Sequence, residues 1–240
     1  METTWRQTFL KLYETYCESD QDNEQNYFQM FDKALEQPYA RQHYEQLEGE
    51  LGQLDNEAWQ EFKQKVHQCA IVKDNKRGWR ELFDYFNEVK GYLYLKSLGC
   101  REIHFILEET MKTPDLYGLC GTDGILMEVK TINRSDDELD WIKMNLELLN
   151  RKGNLQEGIV RNGLDDLLRR KIMDTINRAK QQLENYADNR VQRKIVYLVI
   201  DLDILSGRYN KRNHDELMAF IKEQNNEQIE VICHQGNRFG

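Results

Sequence analysis

The stretch Pro114-Asp115-Leu116-Tyr117-Gly118-Leu119-Cys120-Gly121-Thr122-Asp123-Gly124-Ile125-Leu126-Met127-Glu128-Val129-Lys130-Thr131-Ile132 decides how this chain is read. A short apolar strand over residues 116–120 enters a run of turn formers, Gly121 to Gly124, and residues 125–132 return as a second strand, which makes a β-hairpin. With the turn centred between Thr122 and Asp123, antiparallel pairing sets Asp115 opposite Lys130 and Tyr117 opposite Glu128. Side chains alternate from face to face along a strand. Asp115, Glu128 and Lys130 therefore share one face, while Met127, Val129 and Thr131 share the face expected to pack against other elements. Asp115 and Glu128 become diagonal neighbours about 7–8 Å apart. Two carboxylates converging from there suit one hard cation with oxygen ligands at about 2.0–2.1 Å. Glu128 and Lys130 interrupt an apolar strand, where charges are expensive unless paired, metal-bound or chemically employed. The competing reading is a solvated strand edge with ordinary surface charges.

Upstream, Trp79, Leu82, Phe83, Phe86, Val89 and Leu93 form the apolar stripe of a helix that Gly99 ends as a C-cap. Glu88 lies beside that stripe, either reaching over a strand end or standing on the solvated side, and Gly91 leaves room for close approach. Ile103, Phe105 and Leu107 alternate as a strand over residues 102–107. Downstream, Ser135 and Glu138 make a capping box for an inserted helix, followed by a long polar loop to Asn162-Gly163. Asp165 or Asp166 caps a long helix with Leu167, Leu168, Ile172, Ile176, Ala179 and Leu183 on its apolar stripe. Residues 196–200 read as a buried strand with Asp201 and Asp203 at its exit. A helix over 216–223 and a strand over 229–233 follow.

Pro114-Asp115, then Glu128-Val129-Lys130, preceded by a helix carrying Glu88, resembles the PD-(D/E)xK nuclease superfamily. Gln182 and Tyr186 stand in a Gln-x-x-x-Tyr spacing similar to a motif of the RecB-type exonuclease branch. The resemblance covers about Gly78 to Asp203 and has no counterpart for residues 1–77. It implies an α/β, restriction-endonuclease-like core of helix, three-stranded meander, helix and strand. It also implies a metal-dependent phosphodiesterase acting on nucleic acid, DNA before RNA and endonuclease before exonuclease. In that reading Asp115, Glu128 and the Val129 carbonyl hold Mg²⁺, for which Mn²⁺ can substitute, and Glu88 binds the ion directly or through water. Lys130, beside the ion, would have a lowered pKa and orient or deprotonate the attacking water. Gln182 would hydrogen-bond the scissile region. Arg169, Arg178, Lys180 and Tyr186 would meet the nucleic acid, and a homodimer would cut two strands. Two readings of another class stay open. One is a catalytically degenerate nuclease-fold module that binds nucleic acid or a protein; the other is an unrelated α/β protein whose acidic N-terminal helices dock a basic partner.

At 240 residues, 40% hydrophobic and 31% charged, the chain has the make-up of an ordinary globular protein. Its net charge of −9 opposes a uniformly nucleic-acid-binding surface. The charge is uneven, however: residues 1–75 are rich in Asp, Glu and Gln, whereas 151–194 are rich in Arg and Lys and form the stretch a phosphate backbone would meet. On charge alone that basic stretch reads first as a solvated helix face. Trp5, Phe9, Leu10 and Tyr13, then Tyr27 to Leu35, Tyr39 to Leu51 and Trp59 to Cys69 recur at helical spacing, giving an acidic helical region over 1–77 with a boundary at Lys73–Gly78. The nuclease-like domain is then 78–240, with a helical insertion at about 135–164. No apolar run approaches the roughly 18–20 residues of a membrane span, and Met1 to Leu10 lack the pattern of a signal peptide. A cytoplasmic protein without membrane contact is expected. The 5 cysteines are odd in number and widely spaced, which predicts free thiols rather than a zinc site or disulfides.

Overall fold

The computed structural model describes residues 5–19, 22, 24, 26–71, 79–107, 112–132, 164, 166–186, 190–201 and 211–236. The expected insertion after Ser135, the polar loop beyond it, the boundary at Lys73–Gly78 and Asp203 lie outside these residues.

The chain begins with helices α1 (Trp5–Thr8), α2 (Leu10–Glu18), a 3₁₀ turn (Tyr27–Met30), α3 (Phe31–Leu35), α4 (Pro38–Leu51) and α5 (Asn56–Cys69). Pro38 starts α4 because a first-turn residue needs no N–H partner. Asp55 caps α5 through its carboxylate, which accepts from the Ala58 N–H at 2.9 Å and from the Tyr92 hydroxyl at 2.9 Å. Helix α6 (Arg80–Ser97) follows and carries Tyr92. It stops at Gly99, whose φ of +81° is the left-handed C′ conformation that glycine adopts without strain.

Strands β1 (Arg101–Phe105), β2 (Leu116–Cys120) and β3 (Asp123–Ile132) form an antiparallel meander. Helix α7 (Asp166–Asn185), strand β4 (Val191–Asp201), helix α8 (Lys211–Lys222) and strand β5 (Ile229–Gly236) complete the described chain. The five strands lie in sequence order, with β4 parallel to β3 and β5 parallel to β4. This is an α/β protein built on an open mixed sheet, and the long apolar run of β4 occupies an interior position, as its composition requires.

Alternation along the strands divides the core into two layers. Leu116, Ile125, Met127, Val129, Ile195, Tyr197 and Val199 face α6 and join the aromatics of the N-terminal helices, from Trp5 to Phe62, in one continuous cluster. Leu126, Ile132, Val196, Leu198, Ile200 and Val231 face the other way, against the stripe of α7 and Leu217 and Ile221 of α8. Helix α6 sits close on its layer because of Gly91. A Cβ there would come within 2.8 Å of a Val129 methyl, 2.9 Å of a Leu116 methyl and 3.0 Å of the Met127 sulfur.

The hairpin register differs from the one expected. Cys120 pairs with Asp123 and Leu116 with Met127, so the turn is centred on Gly121-Thr122. Gly121 takes φ +67°, and a two-residue loop with glycine first matches the strand twist better than a turn centred one residue later. Moving the turn centre by one residue shifts the pairing by two, an even number. The paired side chains keep their faces but change partner: Tyr117 lies opposite Leu126, not Glu128, and Asp115 bonds the Met127 carbonyl and the Val129 N–H rather than standing opposite Lys130.

Candidate active site

Strand β3 outruns β2. Pairing ends at Leu116 and Met127, so among the described residues Val129 to Ile132 have no strand on that side. Asp115 finishes the ladder. Its backbone N–H donates to the Met127 carbonyl at 3.1 Å, and its side-chain Oδ2 accepts from the Val129 N–H at 2.7 Å. In an antiparallel strand a residue's N–H and C=O point the same way, so the Val129 carbonyl faces this unpaired side as well. The opening lets residues of α6 approach the charged face of β3.

Glu128 has no exposed surface. Its Oε1 accepts from the Lys130 ammonium, while its Oε2 is buried without a hydrogen-bond partner. Burial, and next the charge of Asp115, push the Glu128 carboxyl up to about 8 against partial relief from Lys130. From the protein groups alone, burial lowers the Lys130 pKa, but Asp115, Glu128 and Glu88 together outweigh burial and hold the ammonium above its ordinary value. A lysine among uncompensated carboxylates keeps its proton.

Glu88 is buried, so the solvated-face reading does not hold. Its Oε2 meets the Lys65 ammonium of α5 at 2.7 Å, with both side chains less than a tenth exposed. Burial and then Asp115 hold the Glu88 carboxyl well above its usual range, with Glu128 adding to the repulsion. Two further groups were missed in the sequence. Asp84, one turn before Glu88 on α6, is pushed up by burial and feels both Lys130 and Asp115. Lys65 comes from the N-terminal helices; its only sequence signal is a lysine three residues after Phe62 and four before Cys69, beside an apolar stripe. Asn87 donates to the Thr131 hydroxyl at 3.1 Å and ties α6 to the same stretch of β3.

Three carboxylates, Glu88, Asp115 and Glu128, thus share two ammonium groups, those of Lys65 and Lys130. A donor set of carboxylates and one carbonyl is what Mg²⁺ takes, and an orphaned buried carboxylate oxygen beside an excess of negative charge fits a divalent cation. Among the described residues, the trio whose ligand atoms all lie within 4.8 Å of one another is a different one, Glu57, Glu61 and His104. There Glu57 is exposed and the His104 ring is already bonded to Glu61 at 3.1 Å. The ligand atoms of Glu88, Asp115 and Glu128 do not all come within that distance of one another, and each side chain has its own partner, Lys65, the Val129 N–H and Lys130 respectively.

Gln182, half-buried on α7, donates its amide to the Thr113 carbonyl, next to Pro114. It steadies the segment that delivers Asp115. Tyr186 follows the end of α7 and packs at the edge of the second core layer. Of the basic residues expected to meet nucleic acid, Arg169 pairs with Glu216 and lies 5.1 Å from the Phe220 ring centre, which binds α7 to α8. Lys180 donates to the Gln224 carbonyl at 2.6 Å. Arg178 is exposed and bonds the Asp174 carbonyl at 3.1 Å within its own helix.

Fold and site together define an α/β protein with a charged cluster at the open side of its meander. No family model, curated protein or solved structure matches the chain. No helix among the described residues is long and apolar enough to cross a membrane.

Proposed function

We propose that this protein is a metal-dependent nuclease that hydrolyses phosphodiester bonds of DNA, with a restriction-endonuclease-like core formed by α6, β1 to β3, α7 and β4. The observation that carries the reading is the assembly of Glu88, Asp115, Glu128 and Lys130 at the unpaired side of β3, with a Glu128 oxygen buried and unpartnered. Asp115, Glu128 and the Val129 carbonyl would hold Mg²⁺, with Glu88 close by, and the ion would supply Lewis-acid charge and a nucleophilic water at neutral pH. Lys130, retained as a cation by its carboxylate neighbours, orients the water and offsets negative charge building on the phosphate. Gln182 holds the Thr113 carbonyl and so fixes where Asp115 sits.

The test is cleavage of labelled single- and double-stranded DNA and RNA with Mg²⁺, with Mn²⁺ and with EDTA, beside Glu128→Ala and Lys130→Ala. Metal-dependent cleavage by the wild type, reduced at least about 100-fold in both variants, is expected. Cleavage that persists in both variants, or in EDTA, would move the chemistry elsewhere. The ties of Glu128 to Lys130 and of Glu88 to Lys65 favour one second reading, a nuclease-fold module that binds without cutting. Metal-dependent nucleic-acid binding with no cleavage of any strand would establish it.

A further inference from the structure

Tyr117 and Leu119 lie on one face of β2, and His104 of β1 pairs with Tyr117. Helix α7 packs chiefly over β3 and β4 on this side. Beside it, an open groove of about 700 Å³ is lined by Tyr117 and Leu119 of the meander together with Tyr186, Arg190, Glu102 and Gln192. That is the size of a site for a small planar ligand. The groove borders the segment that carries Asp115: Tyr117, which lines it, is two residues on from Asp115, and Ile106, which also lines it, donates its N–H to the Asp115 carbonyl at 2.9 Å.

We propose that this groove holds an unpaired nucleobase of a single-stranded nucleic-acid substrate, next to the phosphate presented to Asp115 and Glu128; this rests on the nuclease reading. Two tyrosine rings line it, and the Arg190 guanidinium carbon lies 5.4 Å from the Tyr117 ring centre. Aromatic rings and guanidinium planes are the surfaces on which unstacked bases settle, whatever their sequence. Charge favours a base over a phosphate here, since Glu102 offsets Arg190 and a neutral ring loses little by entering. Glu102 itself is held at φ +49°, in the left-handed region, at an irregularity in the β1–β2 pairing. This bulge reshapes the floor beside His104. The chain so enters the site as a single strand: a paired base has both its faces and its edge occupied within the duplex.

The experiment is fluorescence anisotropy with a short labelled single-stranded oligonucleotide, its blunt duplex and an abasic version of the strand, in Ca²⁺ in place of Mg²⁺. Tyr186→Leu and Arg190→Gln should each weaken single-strand binding about tenfold, the loss of one stacked base. Tyr186→Phe should restore it, and the abasic strand should bind weakly and be indifferent to Tyr186→Leu. Full affinity in Tyr186→Leu and Arg190→Gln, or an equal loss on the abasic strand, overturns the groove while cleavage by the wild type leaves the nuclease standing. A wild type that neither binds nor cuts any strand overturns both.

Discussion

Burial first, and then the Asp115 charge, place the Glu128 carboxyl at about 8, against 4.5 for an ordinary glutamate. The folded protein therefore keeps a proton that the unfolded chain has released between those two values. Stability from this group is fully present below about pH 4.5 and is lost as pH rises through about 8. Glu88 and Asp84, both raised chiefly by burial, contribute with the same sign. In EDTA the melting temperature should fall from about pH 5 to about pH 8, and Glu128→Gln should make that fall shallower. A wild-type profile that is flat, or that rises, over this range is the outcome that sinks the argument. Added Mg²⁺ should raise the melting temperature more at pH 8 than at pH 6, because at the higher pH fewer protons compete for the same oxygens.

At the scale of elements, the distance between α6 and the sheet decides whether Glu88 reaches the carboxylates of the hairpin. Gly91 sets that distance. In Gly91→Ala the new methyl would meet Val129 and Leu116 side chains at 2.8 and 2.9 Å, so the helix must lift or the sheet residues must turn. A loss of about 1–3 kcal/mol in urea unfolding is expected, together with weaker Mg²⁺ binding, since Glu88 lies one turn before the clash. Unchanged stability and metal affinity would show that α6 sits looser than described. Faces and element types at this scale were legible in the residues: alternation in β3 sorted Met127 and Val129 to the packed side, and Gly99 ended α6 as expected. Partners were not legible. The pattern allowed two turn centres, and the positive φ of Gly121 chose between them.

In the whole molecule, the N-terminal helices and the sheet share one core, and through Lys65 those helices also enter the charged site. Lys65→Met leaves Glu88 buried without its cation and should cost about 3–5 kcal/mol in unfolding free energy. The double variant with Glu88→Leu should recover most of that loss, because two apolar side chains replace the ion pair at similar volume. If the single and double variants are equally destabilised, Lys65 acts through packing alone. Domain-level reading of the sequence separated residues 1–77 by their acidic, helical composition, and composition carries no information about which lysine will be turned inward by tertiary packing.

By itself the sequence determined an α/β chain, the five described strands in their order, and two charges, Glu128 and Lys130, on one face of an otherwise apolar strand. Those follow from local rules, the periods of 3.6 and 2 and the turn chemistry of glycine and proline. The tertiary structure alone decided that the Asp115 carboxylate takes the Val129 N–H, that Glu88 is buried against Lys65, that Asp84 joins them, and that the surrounding carboxylates hold the Lys130 ammonium above its ordinary value. Each depends on which distant groups surround a charge once water is excluded, and burial and Coulomb interactions between residues far apart in the chain exist only after the layers have closed.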